Sequence, residues 1–175
     1  MKIQNILAVA GTLVVSCAFM SAAQRNAGLK VDMSDATGKS VGTAVLFPAA
    51  SGVTIRLTLM NLAPGDHAIH VHTAPKCEGP AFASAGPHLN PDNKHHGLKN
   101  PDGPHAGDVP NFTVAADGTA KTSVVAPGVT LGPGANSVFT NGGTSLVIHA
   151  KADDNMTDPS GNSGDRIACG VIAKP

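Results

Sequence analysis

The chain reads as an all-β domain, an antiparallel sandwich or barrel with two long loops on one side. Three observations lead there. Gly and Pro are frequent, at 20 and 13 of 175 residues, so the chain turns often. Frequent turns favour short strands over a helical bundle. Residues 53–60 alternate: Val53, Ile55, Leu57 and Leu59 face one way, and Thr54, Arg56 and Thr58 the other. That two-residue period is the signature of a half-buried strand. Residues 73–111 and 153–165, in contrast, show no hydrophobic period. In a compact domain, stretches of this kind are functional or disordered. Trp and Tyr are absent and Phe numbers five, so Val, Ile, Leu and Ala must build the core.

The elements follow in order. Lys2 and the apolar run 6–15, then Ser21, Ala22 and Ala23, have the layout of an export signal, with cleavage after Ala23. The run is short for an uncleaved membrane span. Val14-Val15-Ser16-Cys17 also fits a lipoprotein box, in which a lipidated Cys17 would attach the protein to a membrane. Residues 1–23 are thus expected to be a signal peptide, 24–27 a linker, and 28–175 one domain. Strands are expected at 41–47, 53–60, 67–72, 112–115, 119–126, 145–150 and 167–173. Ala63-Pro64-Gly65-Asp66 is a turn entering the third of these. Ala116-Asp117-Gly118 reads as a hairpin turn between the fourth and fifth.

Net charge is zero and no run of like charges appears, which argues against a nucleic-acid partner. A local positive field over a small-anion site remains compatible with that balance. Without the signal, Cys77 and Cys169 remain. An even pair in an exported chain suits one disulfide, two free buried thiols being the alternative.

The eight histidines are the strongest chemical signal. In His70-Val71-His72 the strand period puts both imidazoles on one face, where they can grip one ion. An H-x-H also occurs in strands for packing alone. His88, His96 and His105, with Asp108, lie in the first long stretch. Three imidazoles and a carboxylate make a closed four-coordinate set suited to Zn²⁺, and an ion would order a loop with few apolar anchors. The alternative is a solvated histidine-rich loop. Taken singly, His149 reads as a core histidine and Arg166 as a surface or ion-pair residue.

Five stretches together resemble the copper/zinc superoxide dismutases. They are Gly65-Asp66-His67-Ala68-Ile69-His70-Val71-His72, Ser84-Ala85-Gly86-Pro87-His88-Leu89-Asn90-Pro91, His105-Ala106-Gly107-Asp108, Val147-Ile148-His149-Ala150-Lys151-Ala152-Asp153-Asp154 and 161–172, which begins Gly161-Asn162-Ser163-Gly164-Asp165-Arg166. They occur in the family's order, and the signal and Cys77 look like the bacterial exported branch. The resemblance implies an eight-stranded antiparallel Greek-key β-sandwich or barrel; the β-sandwich is also the family's general description. It implies copper on His70, His72, His88 and His149, and zinc on His88, His96, His105 and Asp108, with His88 bridging. His96 is chosen over His95 because its eight-residue step from His88 matches the family. Asp153 is implied to clamp His70 and His96, Cys77 and Cys169 to pair, and His67 to brace the copper-site strand. Arg166 is implied to line the channel for the superoxide anion. His95 is extra and is expected to face solvent.

The activity so implied is conversion of two superoxide anions and two protons to O₂ and H₂O₂ by copper cycling, with Arg166 and His88 catalytic. The protein would act outside the cytoplasm, periplasmic or extracellular, as monomer or homodimer. The chain departs from the eukaryotic members in its shorter 154–166 loop, which lacks their steering charges. Leu89 and Ala150 stand where Phe and Glu are usual. One rival is a superoxide dismutase-like protein that binds or stores copper without turnover. A second, a zinc hydrolase on His70 and His72, lacks a glutamate beside the H-x-H.

Overall fold

The computed structural model describes residues 28–174; the expected signal (1–23), the linker (24–27) and Cys17 lie outside the described residues. Nine strands follow in order: β1 (Leu29–Asp35), β2 (Ser40–Ala49), β3 (Gly52–Leu59), β4 (Gly65–His67), β5 (Ile69–His72), β6 (Phe112–Val114), β7 (Ala120–Ala126), β8 (Thr144–His149) and β9 (Arg166–Ile172). The strand expected at 67–72 is divided at Ala68 between the last residue of β4 and β5, and Gly65 and Asp66, expected in a turn, open β4; with this break and β1 the seven expected segments become nine. β1 had no counterpart among the expected strands.

Seven strands form one antiparallel sheet in the order β5-β8-β9-β1-β2-β3-β7, and β4 pairs with β6. The ring closes through covalent links. The turn at 115–118 joins β6 to β7, with Ala115 N–H donating to Thr119 O at 2.8 Å and Gly118 N–H to Ala115 O at 2.9 Å. At Ala68 the chain passes from the β6 pairing of β4 to the β8 pairing of β5. Ala68 itself is held by backbone bonds to Lys151 and His149.

The alternation of β3 is realised: Val53, Ile55, Leu57 and Leu59 are buried, while Arg56 and Thr58 are exposed. With Met33, Leu46, Ile69, Leu146, Ile148 and Ile172 they fill an aliphatic core. Burying such side chains contributes about 1.5–3 kcal/mol each. β9 lies close to β1, and a Cβ at Gly170 would press on Met33 and Val31.

β8 is buried on both faces because a loop covers its outer one. There Val147 packs with Phe82, Ala85 and Cys169 in a second, small cluster. The Cys77–Cys169 disulfide, with Cα atoms 5.6 Å apart, fastens the same loop to β9. Residues 73–111 contain no strand and only the 3-10 turn Ala83–Ala85. This loop and the 150–165 loop lie over the outer side of β5 and β8, where the histidines converge.

Candidate metal centre

Ile69 and Val71 point into the core, so strand geometry sends His70 and His72 to the opposite face, where loops bury them completely. β8 pairs with β5 and ends at His149, where a register shift after Ile148 alters the pairing. His88 reaches β5 through a bridge to His72. His70, His72, His88 and His149 each offer a nitrogen, all within 4.8 Å of one another. His88, His96, His105 and Asp108 form a second set of the same tightness, and His88 belongs to both.

Hydrogen bonds fix which nitrogen each ring presents. His70 Nε2 bonds Asp153 Oδ2 at 2.9 Å, which turns Nδ1 toward the first set. His72 Nδ1 donates to Gly86 O at 2.8 Å and His149 Nδ1 to Gly164 O at 3.2 Å, leaving Nε2 of each. His88 Nδ1 sits 3.0 Å from Asp108 Oδ1, so its Nε2 faces the first set. These four inward nitrogens are buried and have no hydrogen-bond partner. Buried polar atoms are nearly always satisfied, so four convergent exceptions are what an imidazole metal site requires.

In the second set, Asp108 Oδ1 lies 3.0 Å from His88 Nδ1 and His96 Nδ1 and 3.4 Å from His105 Nδ1. The His96 contact lacks hydrogen-bond geometry, and that nitrogen too is unsatisfied. Asp108 Oδ2 is turned away, accepting from the backbone N–H of Gly97 (2.8 Å) and His105 (2.9 Å). Three nitrogens around one carboxylate oxygen match a closed tetrahedral Zn²⁺ set. Asp153 joins the two sets: its carboxylate takes His70 Nε2 and, at 3.0 Å, His96 Nε2. Imidazole ligands are commonly oriented this way.

Electrostatics favour cations here. Burial pushes the His88 and His149 pKa values down to about 4, and burial with the nearby His88 puts His72 well below the usual range. Burial also lowers that of His70 against the pull of Asp153. Burial opposes the Asp108 anion, but the close His105, His88 and His96 rings and the Gly97 backbone N–H outweigh it and hold the carboxyl well below its usual range. Asp153 is held low in the same way by His70 and His96. For His96, burial disfavours the cation, but Asp108 and Asp153 prevail and raise its pKa to about 9. Metal binding needs neutral imidazoles facing fixed carboxylates: burial keeps His70, His72, His88 and His149 neutral, whereas His96 must release a proton to take an ion.

Arg166 opens β9 and is half-buried. Its guanidinium donates to Phe82 O and Gly86 O, both at 2.8 Å. It lines an open cavity of about 520 Å³ with His88, His105, His149, Asn93 and Ser160. The loop that carries Gly86 therefore holds both His72 and Arg166.

The candidate ligands His70, His72, His88, His96, His105, Asp108 and His149 come together here with Asp153 and Arg166; His95 is exposed and bonds Asp158. His67 is buried, its ring nitrogens 2.7 Å from His149 O and 2.8 Å from Ala63 O. Three supports were not foreseen. Asn111 exchanges hydrogen bonds with the Asp153 backbone, at 2.8 and 2.9 Å. At Gly161 (φ +64°) any Cβ would strike the Asp153 carboxylate. Asp158 accepts from the His96 backbone N–H at 2.6 Å. Only the Gly161 position had a sequence signal, the Gly161-Asn162-Ser163-Gly164 run.

The family model described as copper/zinc superoxide dismutase (SODC) matches residues 40–172, most of the chain. The chain belongs to the copper/zinc superoxide dismutase family. A protein named superoxide dismutase [Cu-Zn] 2 from Aquifex aeolicus is 43% identical over 173 residues, 98% of each chain. Another from the same organism, superoxide dismutase [Cu-Zn] 1, is 48% identical over 143 residues, 81% of this chain and 85% of that one. Among solved structures, the Cu/Zn superoxide dismutase from Brucella abortus superposes with a TM-score of 0.68 at 34% identity, covering 82% of this chain and 97% of that one. A SOD-like protein from Bacillus subtilis gives 0.79 at 38% identity, covering 83% and 98%. The antiparallel barrel and the paired histidine clusters are those of a superoxide dismutase suited to copper and zinc.

Proposed function

We propose that the chain converts superoxide to O₂ and H₂O₂, with copper held by His70, His72, His88 and His149 and zinc by His88, His96, His105 and Asp108. The observation that carries this is the four buried, unpartnered imidazole nitrogens converging beside the Asp108 set and sharing His88 with it. Bound there, copper would supply a one-electron couple that takes an electron from one superoxide and gives it to another, while zinc is redox-silent.

The chain's own residues do the rest. Arg166, fixed by two carbonyls, offers its remaining N–H donors and a permanent charge to a small anion in the cavity. Pre-positioned donors cost no reorganisation when the anion arrives. His88 Nε2 can hold one of the two protons that H₂O₂ requires, while its Nδ1 stays on the Asp108 side. Asp153 keeps the His70 and His96 rings from rotating, so both sets retain their spacing.

Residues 28–175 form the enzymatic domain in this reading. The apolar run near the start and a disulfide that needs an oxidising compartment support export, with 1–23 as signal and 24–27 as linker. The Val14-Val15-Ser16-Cys17 box supports an alternative in which lipidated Cys17 anchors the protein. Mass analysis of membrane and soluble fractions separates the two.

Metal analysis and a superoxide assay on the purified protein test the proposal. One copper and one zinc per chain, with dismutation above that of free copper, is the expected result. His88→Ala should uncouple the metals and cut turnover severely. Copper uptake without turnover would instead establish the copper-binding alternative.

A further inference from the structure

His96 sits on a long loop with few apolar side chains, so polar contacts must set its position. Asp153 orients its ring. Its backbone is held separately, from the other loop. Asp158 Oδ1 accepts from the His96 backbone N–H at 2.6 Å, while Asp158 Oδ2 bonds His95 Nδ1. One carboxylate, 62 residues away in sequence, thus straddles two consecutive residues. Neighbouring stitches align the same two loops: Lys99 N–H donates to Asn155 O at 3.1 Å, and Asn100 Nδ2 to Met156 O at 3.2 Å. Asn100 Nδ2 also donates to His96 O at 2.9 Å.

We infer that Asp158, steadied by His95, is a positioning residue for His96: an inter-loop latch that sets how tightly zinc is retained. This rests on the reading of His88, His96, His105 and Asp108 as the zinc set. The His95–Asp158 pair alone would contribute little, because its side chains are 64% and 42% exposed. The part-buried bond to the His96 backbone is what ties the pair to the metal ligand. Groups that orient ligands from behind typically change metal affinity about 10–100-fold when removed.

The test uses the full protein and its Asp158→Ala, Asp158→Asn and His95→Ala variants. Zinc release to a chelator, copper affinity, the visible spectrum of a cobalt(II)-substituted zinc site and the thermal midpoint of the metal-free form are measured. Asp158→Ala should release zinc about tenfold faster or more, with a shifted cobalt spectrum and copper affinity largely retained. Asp158→Asn should be partly rescued, because its amide oxygen still accepts the His96 N–H. His95→Ala should show a smaller loss than Asp158→Ala. Wild-type zinc release and cobalt spectrum in Asp158→Ala would overturn the latch. So would equal losses of zinc and copper with a lowered metal-free midpoint, which mean general loosening. Failure of the wild type to bind zinc would overturn the zinc assignment, and the latch with it.

Discussion

Replacing both Cys77 and Cys169 by Ala removes the disulfide that cross-links the first long loop to β9 of the barrel. The bridge spans 92 residues. In the chain-entropy account, closing a loop of that length stabilises the fold by about 4.6 kcal/mol at 25 °C. For a domain of this size that corresponds to a midpoint lowered by roughly 10–20 °C. The effect on chemistry should be separate. The same loop carries the Phe82 and Gly86 carbonyls that hold Arg166, and the Gly86 carbonyl also orients His72. A folded double variant should therefore lose kcat/KM at temperatures where it is still native. Urea unfolding of the metal-free proteins gives the stability, and superoxide kinetics on the loaded proteins give the rest. A loss below about 1 kcal/mol would refute the loop-closure reasoning, since entropy alone predicts several times that. Unchanged kcat/KM would show that the small Phe82–Ala85–Val147 cluster positions the loop unaided.

Other perturbations read other parts of the site. Asp153→Ala leaves two buried imidazole N–H groups without an acceptor, costing about 1–3 kcal/mol each, and should weaken copper and zinc about 10–100-fold; competition titrations with chelators measure both. Arg166→Lys cannot donate to two carbonyls and an anion in one plane, so kcat/KM should fall at least about tenfold, with metal contents unchanged by elemental analysis. Metal-free protein should be most stable near pH 6.5. His88 and His149 have folded pKa values depressed to about 4, so the unfolded chain binds more protons and stability falls as pH drops from 6.5 toward 4. His96 is raised to about 9, so its contribution is complete below 6.5 and is lost as pH rises through 9. Urea midpoints that stay flat between pH 4 and 6.5 would contradict the burial of those rings.

Much of this was legible in the sequence where one periodicity or one spacing governs. β3 followed from strict alternation, and the β6–β7 hairpin from an Asp-Gly turn. β1 was missed although Leu29, Val31 and Met33 do alternate, because Lys30, Asp32 and Ser34 between them dilute the hydrophobic signal. The break at Ala68 could not be read either, since it arises from the strand exchanging partners and not from any local residue preference. At the site, the five stretches shared in order with the family picked out the histidines, whereas His149 taken singly reads as a core residue. Which nitrogen each presents depends on carbonyls of Gly86 and Gly164, brought near only by the folded loops. Asn111 and Asp158 act through contacts of 42 and 62 residues' separation, for which spacing carries no signal.

β5 has β8 along only one side. Along the other, Val71 donates its N–H to Gly107 O and accepts from Leu89 N–H, both within the loop that supplies His88 and His105. The loop that would carry the ions is thus the cover of a strand margin. Were the loop to lift when the ions are stripped, that margin would become a template onto which a second molecule can add its own backbone. Metal supply would then govern not only turnover but whether the protein stays dispersed or begins to self-associate.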